Sequence, residues 1–376
     1  MNTTQASVVT SEFLPVSGRG TGELHLLVSL DCPEKTFDEQ CAGLLDAYDK
    51  VKASYPSMKP VFERYFLSDS ATQQGVLEKL VADRTCAVSI VEQPPLNGTK
   101  IALLAVMQGG VDVCRTQDGL TVVSAENYSC IYSTGMTAST SGSGNQTREI
   151  LLDYCEKLDE FGLSLADDCV RTWFFVQNID ANYSGVVSGR NEVFNMQGLT
   201  DTTHFISSTG IGGRTCDTRS LVMMDAVAAK GLLPGQMRYL YAPTHLNRTS
   251  EYGVSFERGT VVEYGDRRHI FISGTASIDN KGQVLFSGDI RRQTVRMLEN
   301  VQTLLNEAGC TFDDAMHMIV YLRDMADYRV VSEIFSDRFP DKPCIIVYAP
   351  VCRPGWLVEM ECFAIGRCGD LRFPAF

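Results

Sequence analysis

The sequence lacks the features that mark membrane and exported proteins. It has no uninterrupted apolar run of membrane length, and its longest candidates, such as residues 101–107, have the length of a strand. Residues 1–13 lack the basic start and the apolar middle of a signal peptide. We therefore expect a cytoplasmic protein without a membrane partner.

The sequence also lacks the patterns of metal, cofactor and nucleic-acid sites. Its 13 cysteines include no C-x-x-C pair, and its five histidines never stand at metal-ligand spacing. The glycine run at residues 18–22 precedes a strand, whereas a dinucleotide-binding loop must follow one. We predict no metal and no cofactor. The net charge of −13 and the absence of a basic patch argue against nucleic acid.

A small anionic substrate remains compatible with this charge, because binding it requires only two or three arginines in one cleft. The 376 residues, of which 44% are hydrophobic, are enough for two or three domains.

What the sequence does contain is a threefold internal repeat. Each unit shows a strand, an amphipathic helix, a strand that ends in aspartate, a second helix and two apolar strands. The strand-end aspartates are Asp69, Asp180 and Asp324. The pattern predicts an α/β (α+β) protein of three tandem β-sheet units with helices on one face. The expected boundaries are a tail at 1–20 and units at 21–115, 120–240 and 245–370.

Hydrophobic spacing places the main elements. In the third unit it predicts a helix at 293–308 and a buried strand at 315–322. In the second unit it predicts a polar loop at 138–145 and a second helix at 188–196. In the first unit the helix is expected to begin at a capping residue, Thr36.

The third unit resembles the Rid (YjgF) superfamily. The resemblance is carried by ISGTASI at 272–278, the GD-x-x-x-Q helix start at 288–293, LENV at 298–301, VYLRDM at 320–325 and LVEMECFAI at 357–365. Rid proteins are typically homotrimers with ligand clefts between subunits. The resemblance implies three chorismate-mutase-like units that form a pseudo-trimer within one chain, either a monomer with internal pseudo-threefold symmetry or a weak oligomer.

Rid deaminases hold a substrate carboxylate with an arginine that opens the penultimate strand, and they carry a glutamate on the last strand. Here the third unit has the glutamate, Glu359, but Cys344 near the arginine position. The first unit has Arg84 near the arginine position and Ala102 at the glutamate position, and the second has Met223 there. A deaminase would therefore need Arg84 and Glu359 to meet across one interface.

A second resemblance is to the chorismatases, single chains built on Rid-like units. The similar segments are Thr209-Gly210-Ile211-Gly212, Tyr252-Gly253 with Phe256 and Arg258, FISGTA at 271–276, and Cys352-Arg353 followed by Leu357-Val358-Glu359. This resemblance implies that Glu359 is the proton donor to chorismate. It also implies that Cys352, seven residues earlier, matches the hydroxybenzoate-forming branch of that family.

The residues around Glu359 support acid chemistry. Glu359 and Glu361 are two apart on a strand, so their side chains leave the same face. An apolar setting and a like-charged neighbour are expected to raise the pKa of Glu359, as a general acid near neutral pH requires. The alternative is a strand-edge carboxylate that pairs with a lysine.

Several further residues are candidates for the substrate site. Arg353, Arg258 and Arg190 are candidates for binding substrate carboxylates. Tyr252 belongs to the same proposed binding set, and backbone N–H groups around residues 210–213 are candidates for an oxyanion site. The alternatives are that Cys352 is only a buried thiol and that Arg84 is a surface residue.

Three functions follow as hypotheses. The first is a chorismatase-like lyase or hydrolase that cleaves the enol-pyruvyl ether of chorismate or a related cyclic acid and releases pyruvate. The second is a Rid-type hydrolase of small enamines or imines. The third is a non-catalytic protein that binds a small acid, which the loss of site residues in the first two units favours.

Overall fold

The computed structural model describes residues 6–15 and 21–376, except for the side chain of Tyr252. The chain forms three mixed β-sheets, each with helices packed on one face. The predicted class, an α+β protein of three tandem Rid-like units, is confirmed.

The elements follow one order in each unit. The first sheet and its helices comprise β1 (Ala6–Phe13), β2 (Glu23–Leu30), α1 (Phe37–Ser54), β3 (Met58–Leu67), α2 (Ser70–Leu80), β4 (Ala87–Glu92) and β5 (Ile101–Gly109). The second comprise β6 (Asp112–Arg115), β7 (Thr121–Ser124), β8 (Ser129–Thr137), α3 (Ser143–Glu160), α4 (Leu165–Asp168), β9 (Cys169–Val176), α5 (Ile179–Met196), β10 (Ser207–Gly212) and β11 (Val222–Lys230). The third comprise β12 (Met237–Leu240), β13 (Gly259–Glu263), β14 (Arg268–Ala276), α6 (Ile290–Glu307), β15 (Ala315–Leu322), α7 (Tyr328–Arg338), β16 (Cys344–Tyr348) and β17 (Val358–Gly366).

The three sheets repeat one topology. The strand orders are β1-β2-β5-β3-β4, β10-β9-β11-β8-β7-β6 and β12-β13-β14-β17-β15-β16. In each sheet the strand after the first long helix pairs in parallel with the strand after the second helix, and in antiparallel with the last strand. Each unit therefore closes its sheet with the last strand in a central position.

Local sequence explains where these elements begin. Thr36 accepts a hydrogen bond from the backbone N–H of Glu39, and the Glu39 side chain accepts one from the backbone N–H of Thr36. This capping box fixes the start of α1 where Thr36 predicts it. The strand β15 has the predicted bounds, Ala315–Leu322, and nearly all of its side chains are buried.

Each unit has its own apolar core between its sheet and its long helix. Leu26, Leu44 and Leu103 belong to the first core, and Ile150 and Phe174 to the second. The third cluster is the largest and extends into the other two units. Because the helices cover only one face of each sheet, the other face is available for contact between units.

The expected tail is corrected for part of its length. Residues 6–13 form a strand that pairs antiparallel with β2, from Ala6 opposite Leu30 to Phe13 opposite Glu23. The physical reason is that β2 would otherwise be an edge strand with unpaired backbone groups. The rest of the expected tail includes residues outside the described part.

Strands also cross the expected unit boundaries. Asp112–Arg115 lies within the expected first unit but pairs with β7 of the second sheet. Met237–Leu240 lies within the expected second unit but pairs with β13 of the third. The exact limits 21–115, 120–240 and 245–370 therefore stay a prediction.

Two helices of the second unit begin earlier than the sequence predicts, so the predicted starts were wrong. The helix α5 begins at Ile179, nine residues before the expected start at 188. The helix α3 begins at Ser143, inside the expected loop at 138–145. Glycines in both segments suggested loop structure, but tertiary packing overrides their low helix propensity.

Isolated β-bridges between backbone segments join each pair of neighbouring units around a common centre. They connect Glu92 with Arg214, Pro95 with Val347, and Ile211 with Val351. The three units thus form an intrachain pseudo-trimer with clefts between them. None of the described helices combines the length and apolar character that a membrane span requires.

Candidate functional site

A cavity lies in the cleft between the second and third units. Its walls come from α5 and β10 of the second unit and from β14, β17 and two loops of the third. The lining residues are Tyr183, Arg190, Ser208, Gly210, Val254, Phe256, Arg258, Gly274, Cys352, Arg353, Trp356 and Glu359. Six of the predicted site residues therefore meet at one place: Glu359, Cys352, Arg353, Arg258, Arg190 and Gly210.

Glu359 lies near the start of β17, between β14 and β15. Its neighbours across the strands are Ala276 and Tyr321, and only 4% of its surface is exposed. A glycine makes room for its carboxyl group, since a Cβ atom on Gly274 would lie 2.1 Å from Oε1 of Glu359. The glycine of the ISGTASI segment is thus required for this carboxyl position.

The pKa of Glu359 is raised to about 8. Burial is the main cause and the charge of Glu361 adds to it, while Arg258 and Arg171 act in the opposite direction. A carboxyl group with this pKa holds its proton at neutral pH, because desolvation penalises the charged form. The sequence-based expectation of a raised pKa agrees with this environment.

Glu361 is held by partners from the second unit. Its carboxylate accepts hydrogen bonds from Arg171 at 3.0 Å, from the Thr209 hydroxyl at 2.6 Å and from the Trp173 indole at 2.8 Å. Arg64 of the first unit lies 3.8 Å away. The two carboxyl groups of β17 therefore have different environments. Glu361 is bound in an ion-pair network, and Glu359 faces a cavity.

Arginines from three elements surround the cavity. Arg258 is buried and donates to both the backbone carbonyl and the side-chain oxygen of Asn247, at 3.0 and 3.1 Å. Arg190 is buried on α5, and Arg353 lies at the exposed rim with its guanidinium 5.4 Å from the ring centre of Trp356. Positive charge is thus available at the wall and at the mouth of the cavity.

Close helix packing places the α5 residues. A Cβ atom on Gly189 would lie 2.3 Å from the Gly144 carbonyl oxygen of α3, and one on Gly185 would lie 2.2 Å from Oγ of Ser143. The two glycines therefore let α5 approach α3 closely. This approach sets the position of Arg190 on the cavity side.

Cys352 is half-buried and contacts the apolar cores of both units. Burial, and next the Glu359 carboxyl, raise the pKa of its thiol to about 12, although Tyr183, Arg353 and Arg190 act in the opposite direction. The group is therefore a neutral thiol at physiological pH and not a thiolate nucleophile.

Arg84 does not line this cavity. Its Nε atom lies 3.4 Å from the carboxylate of Glu63, and its guanidinium is over the Tyr48 ring at 5.8 Å, both within the first unit. The condition that Arg84 and Glu359 meet across one interface is not fulfilled. Arg84 is partly exposed, with 22% of its side chain accessible, and its ion pair reaches the buried Glu63.

The glycine-rich segment at residues 210–213 contributes less to the candidate site than expected. Ile211 is a core residue, and Gly212 packs on Pro350, to whose carbonyl oxygen its N–H donates at 2.9 Å. The N–H of Gly213 donates to the Val176 carbonyl oxygen. These N–H groups are already used, so the predicted oxyanion site at 210–213 is wrong for residues 212 and 213. The side chain of Tyr252 lies outside the described part.

The wall also contains residues that sequence reasoning did not select for the site, among them Tyr183, Ser208 and Val254. Tyr183 lies in the part of α5 that was not predicted to be helical, and a Cβ atom on Gly210 would lie 2.9 Å from its ring. Gly274 lies within the ISGTASI segment and offered a signal, since a glycine inside a buried strand indicates close approach of another group.

Comparison with known proteins agrees with this architecture. Residues 260–366 match the family model described as Endoribonuclease L-PSP. Over 97 residues, 25% of this chain, the sequence is 35% identical to a RutC family protein of Pyrococcus abyssi, 76% of which is covered. A RutC family protein of Pyrococcus horikoshii is 34% identical over 97 residues, with 77% of it covered.

This chain belongs to the Rid superfamily, which includes the RutC proteins. Its fold is also similar, beyond the third unit, to a crystal structure of a chorismatase. The TM-score is 0.64 at 18% identity, over 81% of this chain and 92% of that one. This Rid protein therefore shares a three-unit fold with a chorismatase, and that likeness concerns the fold alone.

Proposed function

We propose that this Rid protein is a chorismatase-like enzyme that cleaves the enol-pyruvyl ether of chorismate or a related cyclic acid, with Glu359 as general acid. One observation carries the proposal. A carboxyl group whose pKa is raised to about 8 borders a cavity that Arg258, Arg190 and Arg353 also line. A proton donor and several cations are what an anionic enol ether requires.

The chemistry begins with a proton. Glu359 transfers its proton to the terminal methylene carbon of the enol ether, which leaves an oxocarbenium ion at the ether-bearing carbon. Water adds to that carbon and gives a proton back to the Glu359 carboxylate. The resulting hemiketal collapses: its hydroxyl becomes the carbonyl group of pyruvate, the bond between that carbon and the ether oxygen breaks, and the hydroxyl proton passes to the oxygen that stays on the ring. The raised pKa favours the first step because a neutral acid is present at neutral pH.

The arginines serve binding in this proposal. Chorismate carries two carboxylates, and Arg258 and Arg190 are buried cations on the wall while Arg353 stands at the mouth. Arginine is suited to carboxylates because its planar guanidinium can donate two parallel hydrogen bonds. Arg258 is already oriented by Asn247, so its geometry is fixed before substrate enters.

Cys352 takes a supporting part in the proposal. Its high thiol pKa, about 12, opposes a role as thiolate base or nucleophile. As a neutral group beside Glu359 it shapes the space for the ring and leaves the acid as the main reactive group. Its place in the cavity fits the hydroxybenzoate-forming branch that the sequence resemblance implies.

The test is pyruvate release from chorismate by the purified protein. We expect Glu359→Gln to lower the rate by roughly 10²- to 10⁴-fold, because it removes the proton donor while it keeps the shape. The rate should also fall as pH rises through about 8, since the acid must be protonated. Glu126→Gln, the same chemical change at an exposed position, is the matched control and should leave the rate unchanged.

The same assay separates the alternatives. A Rid-type hydrolase that depends on Arg84 predicts loss of 2-aminoacrylate hydrolysis in Arg84→Ala, but the pairing of Arg84 with Glu63 in the first unit disfavours it. A non-catalytic protein would bind a small acid in the cavity without turnover. Wild-type protein that releases no pyruvate above background would contradict the proposed function.

A further inference from the structure

A second cavity lies at the centre of the pseudo-trimer, separate from the Glu359 cleft. It lies between the inner faces of the three sheets. All three units contribute to its wall, and most contributors are aromatic or aliphatic. The aromatic members are Phe62, Tyr132, Trp173, Tyr264, Phe271, Phe363 and Phe376.

Strand register shows which wall residues occupy equivalent places in the three units. Phe363 pairs with His317 in the third sheet, Val227 with Arg171 in the second, and Val106 with Phe62 in the first. In the neighbouring strands the corresponding residues are Phe271, Tyr132 and His25. On the two neighbouring strands all three copies differ at these places, and on the last strand the third unit has phenylalanine where the other two have valine.

This divergence makes the cavity significant. In a homotrimer one residue type must occupy all three equivalent positions on the axis, so a void there is hard to fill. In a single chain each copy can change independently, and a valine such as Val227 can be enlarged alone. Proteins seldom keep such spaces, because an unfilled apolar void lowers stability. The retained space therefore calls for an occupant.

Several polar groups of the wall pair with one another, although Nε2 of His25 and Oε1 of Gln108 have no hydrogen-bond partner among the described residues. Nδ1 of His25 lies 2.8 Å from Nδ1 of His317, and Nε2 of His269 lies 2.7 Å from the carboxylate of Glu23. Burial lowers the pKa of both His25 and His317, which keeps these rings neutral. Since Arg171 is paired with Glu361, the wall does not call for an ionic ligand.

Tyr132 supplies a polar contact for an occupant. Its side chain keeps accessible surface although it lies between the three sheets, and that surface faces the cavity. No hydrogen bond joins its hydroxyl to any residue in the described ranges, and burial raises its pKa far above its ordinary value. A buried tyrosine hydroxyl usually has a hydrogen-bond partner.

We propose that the central cavity is a second ligand site, which takes a small uncharged aromatic molecule with one hydroxyl or carbonyl group. The aromatic wall supplies apolar contact, and the Tyr132 hydroxyl bonds the polar group. Apolar cavities in proteins can bind small aromatic molecules. The site is independent of the chemistry at Glu359.

Phenol and toluene are suitable probes, measured by titration calorimetry and by the thermal unfolding midpoint of the full chain. We expect saturable 1:1 binding of both to the wild type, with a rise in midpoint. Tyr132→Phe should weaken the binding of phenol at least several-fold and leave the binding of toluene unchanged. A crystal soaked with phenol should show it between the three sheets.

Variants with a larger side chain in the central cavity provide the matched test of the proposed ligand site. Val227→Phe introduces the residue already present at the equivalent place in the third unit, Phe363, and should abolish binding of both probes while the activity assigned to Glu359 is unchanged. If that variant does not fold, Ala229→Ile serves instead, because Ile365 is its equivalent. The absence of saturable binding to the wild type, or undiminished binding to a folded filling variant, would overturn the proposal.

Discussion

The third unit differs from the other two at the position of Glu359 on its last strand. Register places Glu359 of the third unit opposite Tyr321, Met223 of the second opposite Phe175, and Ala102 of the first opposite Phe66. The same strand position thus holds an acid in one cleft and apolar side chains in the others. A fused trimer can keep one reactive cleft and use the equivalent positions of the other units for packing.

A second comparison lies within β17 itself. Glu359 and Glu361 are two residues apart and are equally buried, at 4% exposure each. Glu361 accepts hydrogen bonds from an arginine, a threonine and a tryptophan, whereas the side chain of Glu359 lines a cavity. Environment rather than residue type therefore separates a structural carboxylate from a candidate acid.

The largest expected effect comes from placing an acid in the second unit. We expect Met223→Glu to lower the free energy of unfolding by about 3 kcal/mol, because it buries a carboxyl group in an apolar core without a partner. It should also fail to restore pyruvate release when combined with Glu359→Gln. Chemical denaturation and the pyruvate assay measure these outcomes. Restored activity in the double variant would show that the second cleft is equivalent to the third.

A smaller effect is expected from Gly274→Ala. The added methyl group would overlap the Glu359 carboxyl, and displacement of a catalytic group by about 1 Å can reduce the rate about 100-fold. Steady-state kinetics of pyruvate release provides the measurement.

Gly75→Ala is the control for this substitution, because no atom lies within 4 Å of a Cβ at that helical position. Its rate should equal that of the wild type. Equal rates for Gly274→Ala and the wild type would mean that the carboxyl position seen here is not the reactive one.

Much of the fold could be predicted because its signals are local. The capping box at Thr36 and the apolar run of β15 depend only on neighbouring residues. The strand Ala6–Phe13 could not be predicted, since it exists through pairing with β2. The early start of α5 was not predicted, and the missed segment contains Gly185, whose role depends on contact with α3.

The candidate site shows the same division. Glu359, Cys352 and three arginines were selected from motifs and meet in one cavity. Arg84 was selected for its place in the repeat, but its partner Glu63 lies in its own unit. Whether Arg84 could meet Glu359 of another unit depends on how the sheets of the two units pack together. The spacing of residues in the sequence does not encode that packing.

The protonation state of Glu359 is the most direct test of this account. Infrared difference spectra between the wild type and Glu359→Gln isolate this carboxyl group. We expect the C=O band of a protonated carboxyl at pH 7, lost with a midpoint near pH 8, and a lower midpoint in Glu361→Gln because that change removes the neighbouring negative charge. A carboxylate at pH 7 that takes up its proton only near the ordinary value of 4.5 would contradict the account.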